Sequence, residues 1–461
     1  MLSTNHPDPS QTIASPLLRH TATGGRLLIT QVMNSEQASS PAVPGPRLSA
    51  ANGPRSCFEV ARSSLGYGWR VAVAEAISVV ASAGHTYARG MPEAEPAVFW
   101  VCGASGAGKS VAAWALFEAL AAEGVRVGYV DIDQLGMLYP ASGDDPERHL
   151  LKEGALVALV PGYASAGAQV LIVSGVVDPE FGPAALALDG DLTLCLLLVD
   201  PAVLRERIRA RGCDEEEADE AVAENAALRD ATFVDAAIDT ARLSVAEIVE
   251  RLRPSVRVVG LPPVVSPSVV RSPAELGVVV VTGPRAVGSS TVGFGLAMDR
   301  WRADLRTGFV DLQQLAFLAG PQLAGITAPA LAITQLAVMH AFLAARGAGL
   351  LLVSGHLGVG DRGTLRHALP AAPVTVVRLR ADATTLEDHV RERAAGSGPR
   401  LAGDDLLGVD NGYQTAMVAA ALAEQGHLDL HANDDAVLDV TGRTPNDVVA
   451  DIEHLVASRH P

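Results

Sequence analysis

One glycine-rich segment, residues 103–110 with the sequence GASGAGKS, constrains the fold of this chain more than any other feature. It follows the apolar run Ala97–Cys102, and the residues after it, Val111–Leu120, are rich in alanine and leucine. A buried strand, a glycine loop and a helix are therefore predicted in that order. Glycine lets backbone N–H groups converge on an anion, and the positive end of the helix dipole points to the same place. The pattern predicts a phosphate-binding loop.

Two side chains of this loop have expected tasks. Lys109 is expected to reach the β- and γ-phosphates of a nucleotide, and the Ser110 hydroxyl is expected to bind Mg²⁺. A glycine-rich turn that matches by chance is the alternative. The scarcity of lysine argues against it, because Lys109 and Lys152 are the only lysines beside 33 arginines. The predicted nucleotide-binding residues are Gly103, Ala104, Ser105, Gly106, Ala107, Gly108, Lys109 and Ser110.

Length, charge and cysteine content narrow the class of protein. A chain of 461 residues can form two or three domains, and its 49% of hydrophobic residues with few aromatics suits α/β architecture. The net charge of −17 disfavours nucleic acid and anionic membranes as partners. Cys102 and Cys195 lie in apolar runs, so they are expected to be small buried hydrophobes. No disulfide framework, leader or membrane span is indicated, and a cytoplasmic location is expected.

The order of segments along the chain predicts its domains. Residues 1–90 are rich in Ser, Pro, Thr and Gly at their start and are expected to form a largely disordered extension. Strand and helix patterns alternate over residues 91–253, which predicts a parallel sheet with helices on both faces. Residues 254–276 contain five prolines and are expected to form a linker. The alternating pattern then returns over residues 277–461.

The second half repeats the first at an offset of 180 residues. The matched segments are 103–110 with 283–290, 130–135 with 310–315, and 173–175 with 353–355. Three landmarks in one register indicate a duplication, so two tandem P-loop NTPase domains are predicted. Lys109 becomes Ser289 and Asp133 becomes Gln313 in the second copy. That copy is therefore expected to be degenerate and to scaffold, regulate or dimerise, the last of which would make the protein a homo-oligomer.

Two carboxylates and two arginines complete the predicted site. Asp131 and Asp133 end the second predicted strand, at the sheet edge where open α/β sheets bind ligands. Asp131 is expected to hold Mg²⁺ through water, and Asp133 to accept a hydrogen bond or a proton from a phosphoryl acceptor. Either could instead only cap the next helix. Arg209 and Arg211 end an arginine-rich helix and are expected to cover the phosphates as a lid. A solvated surface helix is the alternative for at least two of its arginines.

The third predicted strand disfavours an ATP-driven machine. Such machines activate water with an Asp-Glu pair at a strand end, whereas this strand ends at Ser174 and the next carboxylate is Asp178. The sequence therefore argues against a helicase-type or AAA-type machine and makes a slow NTPase less favoured than a transfer enzyme.

Taken together, these motifs resemble the small-molecule kinases of the P-loop class, among them adenylylsulfate kinase, gluconate kinase and shikimate kinase. The resemblance lies in GASGAGKS, in DIDQL after the second strand, in the arginine-rich helix, and in IDT before the last helix of the first half. It covers residues 96–253 and, in degraded form, 277–456. It implies ATP- and Mg²⁺-dependent phosphorylation of a small hydroxyl-bearing molecule, with Asp131 serving the metal and Asp133 the acceptor. The alternative is a sensor or regulatory protein that binds ATP and phosphorylates nothing.

Overall fold

The computed structural model describes residues 95–183, 192–260, 270–321, 328–398, 401–431, 434 and 436–460. The predicted N-terminal extension, residues 1–90, lies outside these residues, and so does the middle of the predicted linker, residues 261–269. Within the described part of the chain, helices and strands alternate as the sequence predicts. None of the described helices is both long and apolar enough to span a membrane.

The first half contains six strands and six α-helices within its described residues. They are β1 Ala97–Cys102, α1 Lys109–Ala122, β2 Val127–Asp131, α2 Ile132–Leu135, β3 Leu138–Tyr139, α3 His149–Ser165, β4 Val170–Ser174, β5 Leu192–Leu198, α4 Pro201–Arg209, α5 Glu215–Arg229, β6 Ala236–Asp239 and α6 Val245–Leu252. Every residue of β1 and β4 is buried, as expected for parallel strands covered on both faces.

The second half repeats this order with small differences. Its described elements are β7 Val278–Thr282, α7 Ser289–Arg302, β8 Thr307–Asp311, β9 Phe317–Ala319, α8 Ala328–Ala345, β10 Leu350–Ser354, α9 Val359–Ala368, β11 Val374–Arg380, α10 Ala383–Ala394, α11 Asn411–His431, β12 Ala436–Asp439 and α12 Pro445–Arg459. A 3₁₀ turn, Leu312–Leu315, replaces the short helix α2 of the first half.

Two six-stranded sheets share one strand order. The first sheet runs β6-β5-β1-β4-β2-β9 and the second runs β12-β11-β7-β10-β8-β3. The first five strands of each sheet are parallel, and the strand that follows β8 or β2 is antiparallel. The fold is therefore a mixed α/β fold dominated by parallel strands. Because β1 lies between β4 and β5, the loop after it leaves the centre of the first sheet.

The last strand of each sheet comes from the other half of the chain, which the sequence analysis did not predict. β9 pairs with β2 so that Phe317 lies opposite Tyr129, and β3 pairs with β8 in the same antiparallel sense. Gly320, just after β9, has a φ of 127°, and a Cβ there would lie 2.5 Å from the carbonyl oxygen of Val125. Strands of two or three residues are too short to show a period in the sequence.

A hydrophobic core shared by both halves lies between the two sheets. Alternate residues of β1 divide between two cores, with Val98 and Trp100 facing the shared core and Phe99 facing the outer core of the first half. Helices α3 and α8 meet in the shared core, where Gln335 Nε2 donates to the carbonyl oxygen of Leu159 at 3.0 Å. The two halves are therefore joined by packing as well as by strand exchange.

The C-terminal part of the predicted linker packs on the second half. Val270, Ser272 and Leu276 are buried, and the Ser272 N–H donates to the carbonyl oxygen of Ala368 at 2.8 Å. Residues 270–276 thus belong to the folded body, although the sequence assigned residues 254–276 to a linker. Burial of alternate and small residues among prolines left no periodic pattern from which this packing could be predicted.

Candidate functional site

The loop of residues 103–110 joins β1 to α1, and its glycines account for its shape. Gly103, Gly106 and Gly108 have φ values of 145°, 82° and 94°. A Cβ on Gly103 would lie 2.6 Å from the carbonyl oxygen of Leu197, and one on Gly106 would lie 2.8 Å from Ile208 Cδ1. Only glycine allows β5 and α4 to approach the loop this closely. Since α1 begins at the end of the loop, its N-terminal N–H groups face the loop.

Lys109 and Glu224 both contact the loop backbone. Lys109 is 5% exposed, and its Nζ donates to the carbonyl oxygen of Ala104 at 2.8 Å. The Ser105 N–H donates to Oε2 of Glu224, on α5, at 3.0 Å. A carboxylate oxygen therefore lies at a loop N–H of the kind that binds phosphate oxygens. The loop accepts an anion in this structure, which fits the predicted triphosphate site.

Ser110 and Asp131 meet as a pair of oxygen donors. Ser110 Oγ lies 3.1 Å from Asp131 Oδ2, and Asp131 Oδ1 accepts from the backbone N–H of Asp133 at 3.0 Å. Mg²⁺ prefers oxygen ligands and usually takes one or two from protein beside phosphate and water, so this pair fits it. Among the described residues, no three His, Cys, Asp or Glu side chains gather into a metal site. The donor set therefore suits a metal shared with a phosphate.

Tyr129 and Ser174 support this pair from beneath. The Tyr129 hydroxyl lies 2.8 Å from Ser174 Oγ, at the ends of the neighbouring strands β2 and β4. Burial, and to a smaller extent the charge of Asp131, raise the pKa of Tyr129 well above its ordinary value. The phenol is therefore a neutral hydrogen-bonding group at the floor of the site.

Asp133 is paired with a residue to which the sequence analysis gave no role. It lies on α2, and its Oδ1 lies 3.1 Å from Nζ of Lys152 on α3. The two side chains are 15% and 7% exposed, respectively. The scarcity of lysine is the signal that could have identified Lys152, because both lysines of the chain lie at this site.

The predicted lid arginines lie at the surface. Arg209 donates to both carboxylate oxygens of Glu215 at 2.6 and 2.8 Å, and its side chain is 54% exposed. Arg211 is exposed in the turn after α4. This structure does not bring Arg209 to the phosphate loop, because the geometry of α4 directs it to the first turn of α5. A role for Arg209 and Arg211 at the phosphates stays a prediction.

The matching place in the second half has a different chemistry. Ser290 Oγ and Ser354 Oγ donate to the same oxygen of Asp311, at 2.7 and 2.8 Å. Burial raises the pKa of Asp311 above its ordinary value. Ser289 and Gln313 replace the lysine and the second carboxylate. The second site therefore retains a Ser–Asp pair but not the cation or the second carboxylate of the first.

One family match supports the resemblance found in the sequence. Residues 98–234 match a protein family described as an AAA domain. The matched region contains the phosphate loop, both aspartates and Lys152, and it lies within the first half. It covers less than half of the chain. The chain is similar to P-loop small-molecule kinases, as the sequence predicts. The family carries the AAA name although β4 ends at Ser174 without an Asp-Glu pair, so the sequence argument against that class does not extend to the family.

Solved structures that match the chain include a gluconokinase from Sinorhizobium meliloti 1021, a shikimate kinase from Bacteroides thetaiotaomicron and the tunicamycin resistance protein of Deinococcus radiodurans. Their identities are 16%, 20% and 22%, and they cover 41%, 34% and 36% of this chain. The matches span 95%, 97% and 99% of those proteins, with TM-scores of 0.27, 0.26 and 0.28. Scores this low carry no argument about activity. No curated protein matches the chain.

Proposed function

We propose that this protein is a Mg²⁺- and ATP-dependent phosphotransferase that phosphorylates a hydroxyl group of a small molecule. One observation carries the proposal: an anion-accepting loop, a Ser–Asp oxygen pair and a second carboxylate converge at one edge of one sheet. They follow β1 and β2, which both flank β4. The carboxyl edge of a parallel sheet is where such folds bind their ligands.

Each residue of the site would have one task. The loop N–H groups and Lys109 would hold the β- and γ-phosphates, and Ser110 with Asp131 would hold the metal. Mg²⁺, when bound, neutralises phosphate charge and orients the nucleotide. Asp133 would accept the proton of the acceptor hydroxyl. Catalysis would then rest on positioning and charge neutralisation, with no covalent enzyme intermediate.

We further propose that the chain is a tandem duplication with one competent copy. Residues 91–253 would form the competent domain, 254–276 the connection, and 277–461 the degenerate domain. The common strand order of the two sheets supports this division. The second copy would act mainly as a scaffold, because its β9 completes the sheet that carries Asp131. We expect the protein to act in the cytoplasm, where ATP and metabolites are available.

A non-catalytic ATP sensor is the second candidate, and one contact favours it. Glu224 occupies a loop N–H, so nucleotide binding would displace α5 from the loop and could signal through that helix. This function requires tight ATP binding but no transfer.

The test is transfer of label from γ-labelled ATP, with Mg²⁺, to a pool of cellular metabolites. Wild-type protein and Ser289→Ala should label the same metabolite, whereas Lys109→Ala should not. Ser289→Ala is the matched control because it alters the equivalent residue of the second loop. ATP binding without any labelled product or phosphate release would overturn the kinase and leave the sensor. Indifference of the folded protein to ATP would exclude both.

A further inference from the structure

Lys152 joins two elements of the candidate site. It lies on α3, whereas its partner Asp133 lies on α2. The other 33 of the 35 basic residues outside the phosphate loop's Lys109 and Lys152 are arginine. Lysine carries a compact charge on a flexible, unbranched stem, so it can enter a narrow space that a planar guanidinium cannot. A specific requirement for lysine at position 152 is therefore indicated.

The contact orients the Asp133 carboxylate. Nζ of Lys152 lies 3.1 Å from Oδ1, and burial of both side chains limits screening of the pair by water. Oδ2 lies 3.4 Å from the point where a Cβ on Gly175 would stand. Gly175 follows β4, and its N–H contacts the carbonyl oxygen of Val101 near the start of the phosphate loop. Oδ1 thus faces Lys152, and Oδ2 faces the sheet edge where the loop begins.

The stem of Lys152 occupies space that exists because residue 136 is glycine. A Cβ on Gly136 would lie 2.6 Å from Lys152 Cγ and 2.9 Å from its Cε. Gly136 ends α2, so the stem passes directly against the helix that carries Asp133.

The second half lacks all three parts of this arrangement together. The residues 180 positions after Asp133, Gly136 and Lys152 are Gln313, Ala316 and Ala332. Ala316 and Ala332 are buried, so a methyl group is accommodated once the lysine stem is absent. The Ser–Asp pair, in contrast, is present in both halves. The lysine and its glycine therefore accompany the second carboxylate and not the metal pair.

We propose that Lys152 is a positioning residue for Asp133, which it holds in the charged form with Oδ2 directed toward the acceptor hydroxyl. This inference rests on the proposed function, because it requires an acceptor beside Asp133. An adjacent ammonium group lowers the pH at which a carboxylate takes up a proton, by about 1 to 3 units in proteins. The arrangement keeps Asp133 ready to accept a proton at neutral pH.

The proposed step balances as follows in atoms and charge. The acceptor oxygen forms a bond to the γ-phosphorus, and the bond from that phosphorus to the β,γ-bridging oxygen breaks. The electron pair of the broken bond remains on ADP, and the hydroxyl proton moves to Oδ2 of Asp133. Lys152 keeps its three protons throughout. Asp133 then releases its proton to solvent.

The test compares the wild-type chain with Gly136→Ala/Lys152→Ala and with Lys152→Arg. The double variant removes the charge and installs the two residues that the second half already packs at these places. Asp133 is labelled with a water-soluble carbodiimide and an amine over a range of pH, and labelling is quantified by peptide mass spectrometry. The labelling midpoint of Asp133 should rise by about one pH unit or more in the double variant. It should stay close to the wild-type midpoint in Lys152→Arg.

Two further measurements separate the outcomes. ATP affinity measured by calorimetry should change by less than about twofold, because Lys152 pairs with Asp133 and not with the loop. With a phosphorylated acceptor in hand, kcat should fall about tenfold or more at unchanged KM for ATP, and the acidic limb of the pH profile should move to higher pH. An unchanged labelling midpoint would overturn the proposal and leave a structural ion pair. Absence of transfer by the wild-type protein would refute the proposed function, whereas the midpoint would still decide whether Lys152 sets the charge of Asp133.

Discussion

At the scale of single residues, burial gives His340 a defined protonation state. The ring is fully buried, with Nε2 2.8 Å from the carbonyl oxygen of Leu276 and Nδ1 2.7 Å from Ser272 Oγ. Because a carbonyl only accepts, Nε2 carries the proton, and Nδ1 of the neutral ring accepts from the serine hydroxyl. Burial lowers the pKa of His340 below its ordinary value. The neutral ring fastens residues 272–276 to the second half.

We expect His340→Gln to reduce the pH dependence of stability. The unfolded chain takes up a proton at this histidine near pH 6.5, whereas the folded chain does so only at lower pH. The contribution of the neutral ring is therefore fully present above about pH 6.5 and declines as the pH falls through the lowered pKa. Urea unfolding at several pH values should show the largest gap between wild type and variant near pH 7.5. A gap that grows on acidification would contradict this prediction.

Residues that carry a local motif could be predicted from the sequence, and residues that act through tertiary contacts could not. Ser110 and Asp131 meet as expected, because the loop motif and the strand end place them on adjacent strands. Cys102 and Cys195 are buried as expected, and burial raises the pKa of each thiol to about 12. Glu224 reaches the loop from 119 residues away, and no spacing in the sequence encodes that contact.

At the scale of elements, α5 competes with a phosphate for the loop. We expect Glu224→Gln to tighten ATP binding about fivefold, because a neutral amide gives up the Ser105 N–H more easily and does not repel phosphate. Isothermal titration calorimetry with Mg²⁺ and ATP measures the change. Glu220→Gln is the control, since it removes a carboxylate one turn earlier on the same helix.

The control separates contact from general charge. Burial and repulsion by Glu216 raise the pKa of Glu220, so that side chain already disfavours its charged form. Equal tightening in both variants would indicate that only the negative charge of α5 matters. Weaker binding in Glu224→Gln would show that the contact supports the loop and does not compete with a ligand.

Elements with a clear period were predicted, and short ones were missed. The strands β1, β2, β4 and β5 are apolar runs between turn signals, so their order and direction follow from the sequence. β3 and β9 have two and three residues, and what makes them strands is the edge that each one covers. Pairing across 180 or more residues has no local signature.

At the scale of the whole molecule, strand exchange couples the stability of the two halves. We expect Gly320→Ala to loosen β2, although the residue belongs to the second half. A Cβ at this position would lie 2.5 Å from Val125 O, and the positive φ adds strain, so a cost of about 2 kcal/mol is expected. Hydrogen exchange of the peptide containing Val127–Asp131 should accelerate.

Gly442→Ala is the matched control for this substitution. Gly442 also has a positive φ, of 65°, but nothing lies within 4 Å of a Cβ built there. It should lower overall stability modestly and leave exchange in β2 at the wild-type rate. Equal acceleration in both variants would show that backbone strain alone, and not the close approach to the first half, is responsible.

Reciprocal exchange of β3 and β9 also bears on how such a chain can evolve. A copy that has lost its catalytic lysine is free to drift, yet deletion of it would leave β2 as an open edge, to which foreign chains can add. Selection on the working copy therefore preserves the idle one. Inheritance of the pair as a unit is built into the hydrogen bonds of the two sheets.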